Sequence, residues 1–249
     1  MKLILDFGNT LLKIALFEKK DLINIWFQEK LHPNKHTNFI IDFIAKLPEK
    51  QKPDSIIISS VVDIPVSLSE YLNKNFTFIE LSSNIPIPLT NKYKTPKSLG
   101  NDRLAAVVGA GNLYPGKNIL VIEAGTCITF DFLNSKNEYL GGAISPGIEM
   151  RFKSLNNFTD KLPLVSKREC NNLIGQTTEE SILSGILNGV IAEIDGIINS
   201  YLRNYENLTV ILSGGDIKHF DKRLKNNIFA VPNLVLVGLN VILDYNDKQ

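Results

Sequence analysis

One short pattern occurs twice in this chain, and it restricts the fold more than any other feature. Each copy is an apolar run followed by an acid, one further residue, a glycine, a nearby threonine and a second apolar run. The copies begin at Leu3 and at Leu120. Two apolar runs joined by a glycine corner predict a β-hairpin. The repetition indicates an internal duplication, with two similar halves whose hairpins would face each other across a cleft.

The first copy spans Lys2 to Lys13. Asp6 ends its first apolar run, and Gly8 removes a side chain at the corner where a ligand approaches the backbone. Thr10 adds a hydroxyl, and Lys13 adds a positive charge. These groups together suit a metal-bound phosphate. An ordinary surface hairpin with an Asn-Thr turn has the same residues, and on this stretch alone both interpretations stay open.

Between and after the copies, apolar runs alternate with segments of helical spacing, which predicts an α/β fold. Ser55 to Val62 is a continuous apolar run, typical of a buried parallel strand. A long proline-containing loop then leads to Asp102 and Arg103 at the start of a predicted helix that ends near Leu113. The pair is a candidate site, although on this segment alone a plain helix cap with a surface arginine is favoured.

The segment Ser213-Gly214-Gly215-Asp216 follows a predicted strand. A glycine-rich exit from a parallel strand is typical of a nucleotide-contacting corner. It is equally typical of an ordinary turn from a strand into a helix.

Composition excludes several classes of function. The chain has 249 residues, 44% hydrophobic and 21% charged, as expected for a globular protein of one large or two smaller domains. A net charge of +1 does not indicate the excess of positive charge that is typical of proteins that bind nucleic acid or an acidic membrane. The apolar runs fall short of the roughly 20 residues of a membrane span, and no signal peptide is recognisable. Cys127 and Cys170 form no metal or disulfide pattern, which fits a reducing cytoplasm.

The order of these corners resembles that of the type III pantothenate kinases, a family within the acetate and sugar kinase, Hsp70 and actin superfamily. The resemblance spans nearly the whole chain. The matching positions are Asp6, Gly8, Asn9, Thr10 and Lys13; Tyr93, Gly100, Asp102 and Arg103; Gly125 and Thr126; Gly141, Gly142, Ile144, Pro146 and Gly147; and Thr178. One position departs from the pattern, because the second acid is Glu123 where the family usually has Asp.

The resemblance implies two duplicated ribonuclease H-like domains, residues 1–115 and 116–249, each with a mixed sheet flanked by helices, and a nucleotide cleft between them. It implies ATP-dependent phosphorylation of pantothenate to 4'-phosphopantothenate, the first step of coenzyme A biosynthesis. The enzyme is expected to be a cytoplasmic homodimer with no nucleic-acid or membrane partner.

The resemblance also implies roles for single residues. Asp102 is the expected general base. The residues expected to bind ATP are Asp6, Phe7, Gly8, Asn9, Thr10, Leu11, Leu12, Lys13, Thr126, Gly214 and Gly215. The residues expected to bind pantothenate are Tyr93, Gly100, Asn101, Asp102, Arg103 and Thr178, the last from the partner subunit of a dimer. Asp6 would orient Mg²⁺ through its waters, and Glu123 would face a monovalent cation, K⁺ or NH₄⁺.

Two alternatives stay open at this point. One is another small-molecule kinase or phosphatase of the same superfamily. The other is a non-catalytic nucleotide-binding regulator that resembles a transcriptional activator. The presence of Asp6, Lys13, Asp102 and Arg103 argues against the regulator, because a binding module needs no base beside a phosphate cradle.

Overall fold

The structure, a computed structural model, describes residues 1–29, 32–170, 172–220 and 223–247. The strands are β1 Lys2–Phe7, β2 Leu11–Glu18, β3 Asp21–Glu29, β4 Ser55–Ser60, β5 Thr77–Glu80, β6 Thr90–Asn91, β7 Asn118–Ala124, β8 Cys127–Leu133, β9 Glu138–Pro146, β10 Leu208–Ser213 and β11 Phe229–Ala230. The helices are α1 Pro33–Lys46, α2 Val66–Asn75, α3 Asn101–Leu113, α4 Ile148–Asn157, α5 Thr178–Asn204, α6 Ile217–Phe220 and α7 Leu234–Asp247.

The chain divides into two compact units. The first contains Met1–Leu113 and Leu234–Gln249, and the second contains Tyr114–Asn233. The predicted α/β class is confirmed, because each unit has a mixed sheet that packs against helices.

The sheet of the first unit has the order β3-β2-β1-β4-β5. β1 is antiparallel to β2 and parallel to β4, as its buried apolar sequence predicts. Alternate residues of β1 and β4 face α1 and α2, where Leu3 and Ile56 pack with Ile40 and Leu68. Helices α3 and α7 pack against each other and contact β4.

The strands of the second unit follow the order β11-β10-β7-β8-β9. β7 is antiparallel to β8 and parallel to β10. Leu120 and Phe130 of this sheet pack with Phe152 of α4 and Ile186 of α5. This order and these directions repeat those of the first unit strand for strand, so the predicted internal duplication is confirmed at the level of topology.

The C-terminal helix is placed differently from the predicted domains, which assigned it to residues 116–249. α7 belongs to the first unit because its backbone approaches α3 closely. A Cβ atom on Gly238 would lie 1.7 Å from the carbonyl oxygen of Ala105, and one on Gly109 would lie 2.8 Å from that of Leu234. Glycine at both crossing points removes the side chains that would separate the helices.

α5 begins with a reciprocal capping arrangement. The Thr177 side chain accepts a hydrogen bond from the amide of Glu180 at 3.2 Å, and the Glu180 carboxylate accepts one from the amide of Gln176 at 2.8 Å. α5 is long and apolar enough to cross a membrane by length and composition, with a mean hydropathy of 1.5 over its most apolar window. Half of that window is buried in the protein, as expected for a core helix.

Candidate functional site

Asp6 lies at the C-terminal end of the central strand of the first unit. The strand register places it opposite Lys13 on β2 and beside Ser59 on β4. Only 7% of Asp6 is exposed, and Ser59 is fully buried. The structure therefore brings together two residues of the predicted phosphate corner and one serine that the sequence did not single out.

Burial raises the pKa of Asp6 to about 6, because a carboxylate loses hydration inside the protein. The positive charge of Lys13 opposes this rise, and the negative charge of Asp102 adds to it. The Ser59 hydroxyl is close enough to lower the pKa slightly, although it does not reach hydrogen-bonding geometry. The carboxylate of Asp102 is therefore within electrostatic range of Asp6 in the first unit.

The corner after Asp6 is a tight turn. The amide of Gly8 donates to the carbonyl oxygen of Leu11 at 3.0 Å, and Asn9 and Thr10 are exposed at the tip. A Cβ on Gly8 would lie 3.0 Å from the same Leu11 oxygen. The turn therefore presents backbone and short polar side chains to solvent, as a phosphate cradle requires.

The side chains of two predicted ATP residues are not accessible to a ligand. The side chains of Phe7 and Leu12 are buried in the core of the first unit, 2% and 3% exposed. Their side chains hold the hairpin on the core, and only their backbone groups are available to a ligand. Side chains alternate between the two faces of a β-strand, and these two residues fall on the face that packs against the core.

The second group of predicted residues lies at the N-terminus of α3. The Asp102 carboxylate accepts a hydrogen bond from the amide of Arg103 at 2.8 Å. Asp102 folds back over Gly100, where a Cβ atom would lie 2.5 Å from its Oδ1 atom. The side-chain amide of Asn101 donates to the carbonyl oxygen of Leu81 at 2.9 Å, which anchors the start of the helix.

The interpretation of Arg103 as a surface arginine is wrong. Arg103 is 6% exposed, and its guanidinium lies 5.8 Å from the centre of the Tyr93 ring. A cation over an aromatic face is attracted by the ring. The predicted pantothenate residues Tyr93 and Arg103 are thus in contact, beside Asp102.

The second unit carries the equivalent acid, Glu123. Its neighbours are Thr129 on β8 and Ser213 on β10. The Ser213 hydroxyl donates to Oε1 of Glu123 at 3.0 Å. The hydroxyl of Thr129 is buried and has no hydrogen-bond partner in the described part of the chain. A carboxylate flanked by hydroxyl oxygens is a donor set that suits a hard cation.

Two glycine-containing turns of the second unit pack closely against the backbone at the end of β7. Gly214 has a φ of +98°, and a Cβ there would lie 2.2 Å from the carbonyl oxygen of Ala124. A Cβ on Gly147 would lie 2.1 Å from the carbonyl oxygen of Gly125. The exit of β10 thus contacts the end of β7, next to the exposed Thr126. The predicted ATP residues of this unit therefore share one edge of the sheet.

Thr178 is the first residue of α5 and lines a groove of about 480 Å³ in the second unit. Arg151 and Ser181 line the same groove. The Arg151 guanidinium donates to the hydroxyl of Ser145 at 2.9 Å and forms an ion pair with Glu193. Thr178 therefore lies on a largely apolar groove, beside an arginine whose charge is paired with Glu193.

The predicted Mg²⁺ site rests on a single protein carboxylate. No group of three or more His, Cys, Asp or Glu side chains able to hold a metal lies within the described ranges. Asp6 nevertheless fits Mg²⁺, since this ion keeps several waters and binds through one or two carboxylates together with phosphate.

Sequence reasoning missed Ser59 and Ser213. Both are the last or penultimate residue of a buried parallel strand, and each lies beside the acid of its hairpin. The sequence signal that could have found Ser59 is its hydroxyl within the largely apolar segment from Ser55 to Val62.

Comparison with known proteins identifies the family. The family model for type III pantothenate kinase matches residues 2–200. The chain belongs to the type III pantothenate kinase family. It is 46% identical to a type III pantothenate kinase of Christiangramia forsetii and 45% identical to one of Phocaeicola vulgatus, over 100% of each chain.

Solved structures support the fold of this type III pantothenate kinase family member. An inorganic polyphosphate/ATP-glucomannokinase from Arthrobacter sp. strain KM matches 99% of the chain and 100% of its own, with 12% identity and a TM-score of 0.53. The family model covers every predicted site residue except Gly214 and Gly215, which lie beyond residue 200. Family membership makes the chain a kinase.

Proposed function

We propose that this protein transfers the γ-phosphoryl group of ATP to the primary hydroxyl of pantothenate. The product is 4'-phosphopantothenate, and the reaction opens coenzyme A biosynthesis. The observation that carries the proposal is family membership over residues 2–200, and the charge interaction between Asp6 and Asp102 within the first unit supports it.

Asp102 acts as the general base. It accepts the proton of the pantothenate hydroxyl as the oxygen–phosphorus bond forms and the bond from the γ-phosphorus to ADP breaks. Its bond from the Arg103 amide holds the carboxylate in one orientation. Such positioned proton transfer typically contributes about 10²–10⁴-fold.

Arg103 and Tyr93 form the wall against which pantothenate binds. The buried guanidinium lies over the ring, and it is the group that contacts the pantothenate carboxylate or the developing charge. Gly100 and Asn101 shape the start of α3 beside them. Thr178 contacts pantothenate from the second subunit of a homodimer, and the groove beside it supports this role.

In the first unit, the backbone from Asp6 to Lys13 binds the phosphates of ATP. In the second unit, Thr126, Gly214 and Gly215 are the ATP-binding residues. Asp6 would hold Mg²⁺, which would supply charge neutralisation at the phosphates. Lys13, opposite Asp6, adds the second cation.

Glu123 contributes to a site for a monovalent cation, K⁺ or NH₄⁺. The neighbouring oxygens of Ser213 and Thr129 support it, because they add neutral oxygen ligands to the carboxylate. The longer Glu side chain is tied back by the bond from Ser213. The enzyme works in the cytoplasm.

Asp102→Asn tests the proposal. We expect turnover of ATP with pantothenate to fall by about 10²–10⁴-fold while ATP binding, measured by calorimetry, stays within a few-fold. Asp160→Asn, which changes an exposed acid, is the matched control. Normal turnover by folded Asp102→Asn protein would refute the assignment of Asp102 as the general base. No pantothenate phosphorylation by the wild-type protein under any K⁺ or NH₄⁺ concentration would refute the reaction.

A further inference from the structure

A serine hydroxyl without a hydrogen bond lies beside the acid of the first hairpin. Ser59 is fully buried on β4, in register with Asp6 on β1. Within the ranges that the structure describes, its Oγ atom has no hydrogen-bond partner. Buried polar groups are nearly always bonded, and an exception calls for an explanation such as a ligand-dependent partner.

The duplicated half shows the partner that this position can take. Ser213 on β10 occupies the same place relative to Glu123 that Ser59 on β4 occupies relative to Asp6. There the hydroxyl donates to the carboxylate at 3.0 Å. The strand order and directions are the same, so the register sets Ser59 beside Asp6 as it sets Ser213 beside Glu123.

We propose that Ser59 is a positioning residue for Asp6, whose carboxylate accepts the Ser59 hydroxyl when the protein binds Mg·ATP. The inference rests on the proposed function. Ser59 would then fix one oxygen of Asp6 and leave the other available to the ion. Mg²⁺ demands near-ideal octahedral geometry, so the orientation of its carboxylate ligands affects its binding.

A purely structural role for Ser59 makes a different prediction. Ser59 makes no hydrogen bond of full geometry in the unliganded protein, so removal of its hydroxyl changes the stability of that protein little. A hydroxyl that serves only in the complex affects Mg·ATP binding alone. The neighbouring Ser60 gives an internal control, because its hydroxyl bonds the carbonyl oxygen of Val62 at 2.5 Å and its register partner is Phe7.

The experiment compares wild type with Ser59→Ala, Ser59→Thr and Ser60→Ala. We expect Ser59→Ala to weaken Mg·ATP binding in calorimetry by about 10-fold, the lower end of the effect of losing a residue that orients a metal ligand. Its Tm without ligand stays close to the wild-type value. The KM for Mg·ATP rises and the KM for pantothenate does not. Ser59→Thr keeps the hydroxyl and restores binding to within about threefold, and Ser60→Ala leaves binding unchanged.

Two results would overturn the inference. One is Mg·ATP binding by folded Ser59→Ala protein that equals that of wild type. The other is a fall in its ligand-free Tm together with equal increases in both KM values, which shows a structural role. Failure of the proposed function is seen separately, because wild-type protein would then bind Mg·ATP in calorimetry without phosphorylating pantothenate.

Discussion

The two hairpins share a topology and differ in the groups beside their acids. In the first, Asp6 stands opposite a lysine, Lys13. In the second, Glu123 stands opposite a neutral threonine, Thr129, and accepts a hydrogen bond from Ser213. Each acid has a serine on its parallel neighbour. The two halves share the backbone arrangement and the acid, but the residue paired with the acid on the antiparallel strand differs in charge.

Because of this difference, the same backbone arrangement presents two different charge environments around its acids. An acid with a lysine opposite can serve an anionic phosphate and its metal ion together, because the pair carries both signs of charge. An acid with neutral strand neighbours suits a cation with oxygen ligands. The variants below test whether the halves are specialised in this way, from the largest expected effect to the smallest.

The largest effect is expected from removing the charge of each acid in turn. Asp6→Asn should lower kcat/KM for ATP by at least about 10²-fold, because the carboxylate that orients the metal ion is lost. Glu123→Gln should stay within about tenfold of wild type and lose dependence on K⁺ or NH₄⁺. Initial rates measured across ATP, Mg²⁺ and K⁺ concentrations test both. Equal losses in the two variants would contradict specialised halves.

The corners after the two serines provide the next comparison. Ser60 follows Ser59, whereas Gly214 follows Ser213 with a φ of +98°. Gly214→Ser should destabilise the protein by about 3 kcal/mol, from the left-handed backbone and from contact with the Ala124 carbonyl. Thermal unfolding should show Tm lower by roughly 6–12 °C. Gly215→Ala is the control, since nothing lies within 4 Å of a Cβ there; a similar loss in this control would point to a general fragility of the corner.

The pH dependence of stability tests the burial of Asp6 in metal-free protein. Its folded pKa of about 6 exceeds the ordinary 3.8, so between these values the folded state binds a proton that the unfolded chain lacks. The stability that Asp6 contributes is thus full below about pH 4 and lost as the pH rises through 6. The difference corresponds to about 3 kcal/mol.

Asp6→Asn should therefore be more stable than wild type at pH 8 by up to about 3 kcal/mol, and the difference should vanish near pH 4. Thermal unfolding in EDTA across this range measures it. Asp42→Asn, an exposed acid on α1, removes the same charge and should not show the pattern. A gain in stability by Asp6→Asn that persists at pH 4 would exclude a cost of ionisation as its source.

The smallest effects concern the two hydroxyls beside Glu123. Ser213→Ala removes a bonded hydroxyl and should cost about 1 kcal/mol. Thr129→Val removes one that has no bond partner among the residues described, so the cost should be near zero or the protein slightly more stable. Chemical denaturation of both variants tests this order. The reverse order would mean that Thr129, not Ser213, holds the carboxylate.

The amino-acid sequence alone determined the elements and the family. Apolar periodicity predicted the strands and helices because side-chain spacing is a local property of the chain. The two glycine corners predicted the duplication, and their order with Gly100, Asp102 and Arg103 predicted the family that the comparisons then showed. These conclusions needed no knowledge of which strands pair.

Only the tertiary structure decided what depends on residues distant in sequence. Ser59 lies beside Asp6 because β4 pairs with β1, although the two residues are more than fifty positions apart in the sequence. Neither segment by itself specifies this register. The burial of Arg103 and the raised pKa of Asp6 follow from the same packing. α7 joins the first unit because of two glycines more than a hundred residues apart. Burial and pairing are properties of the assembled chain, so local pattern could not supply them.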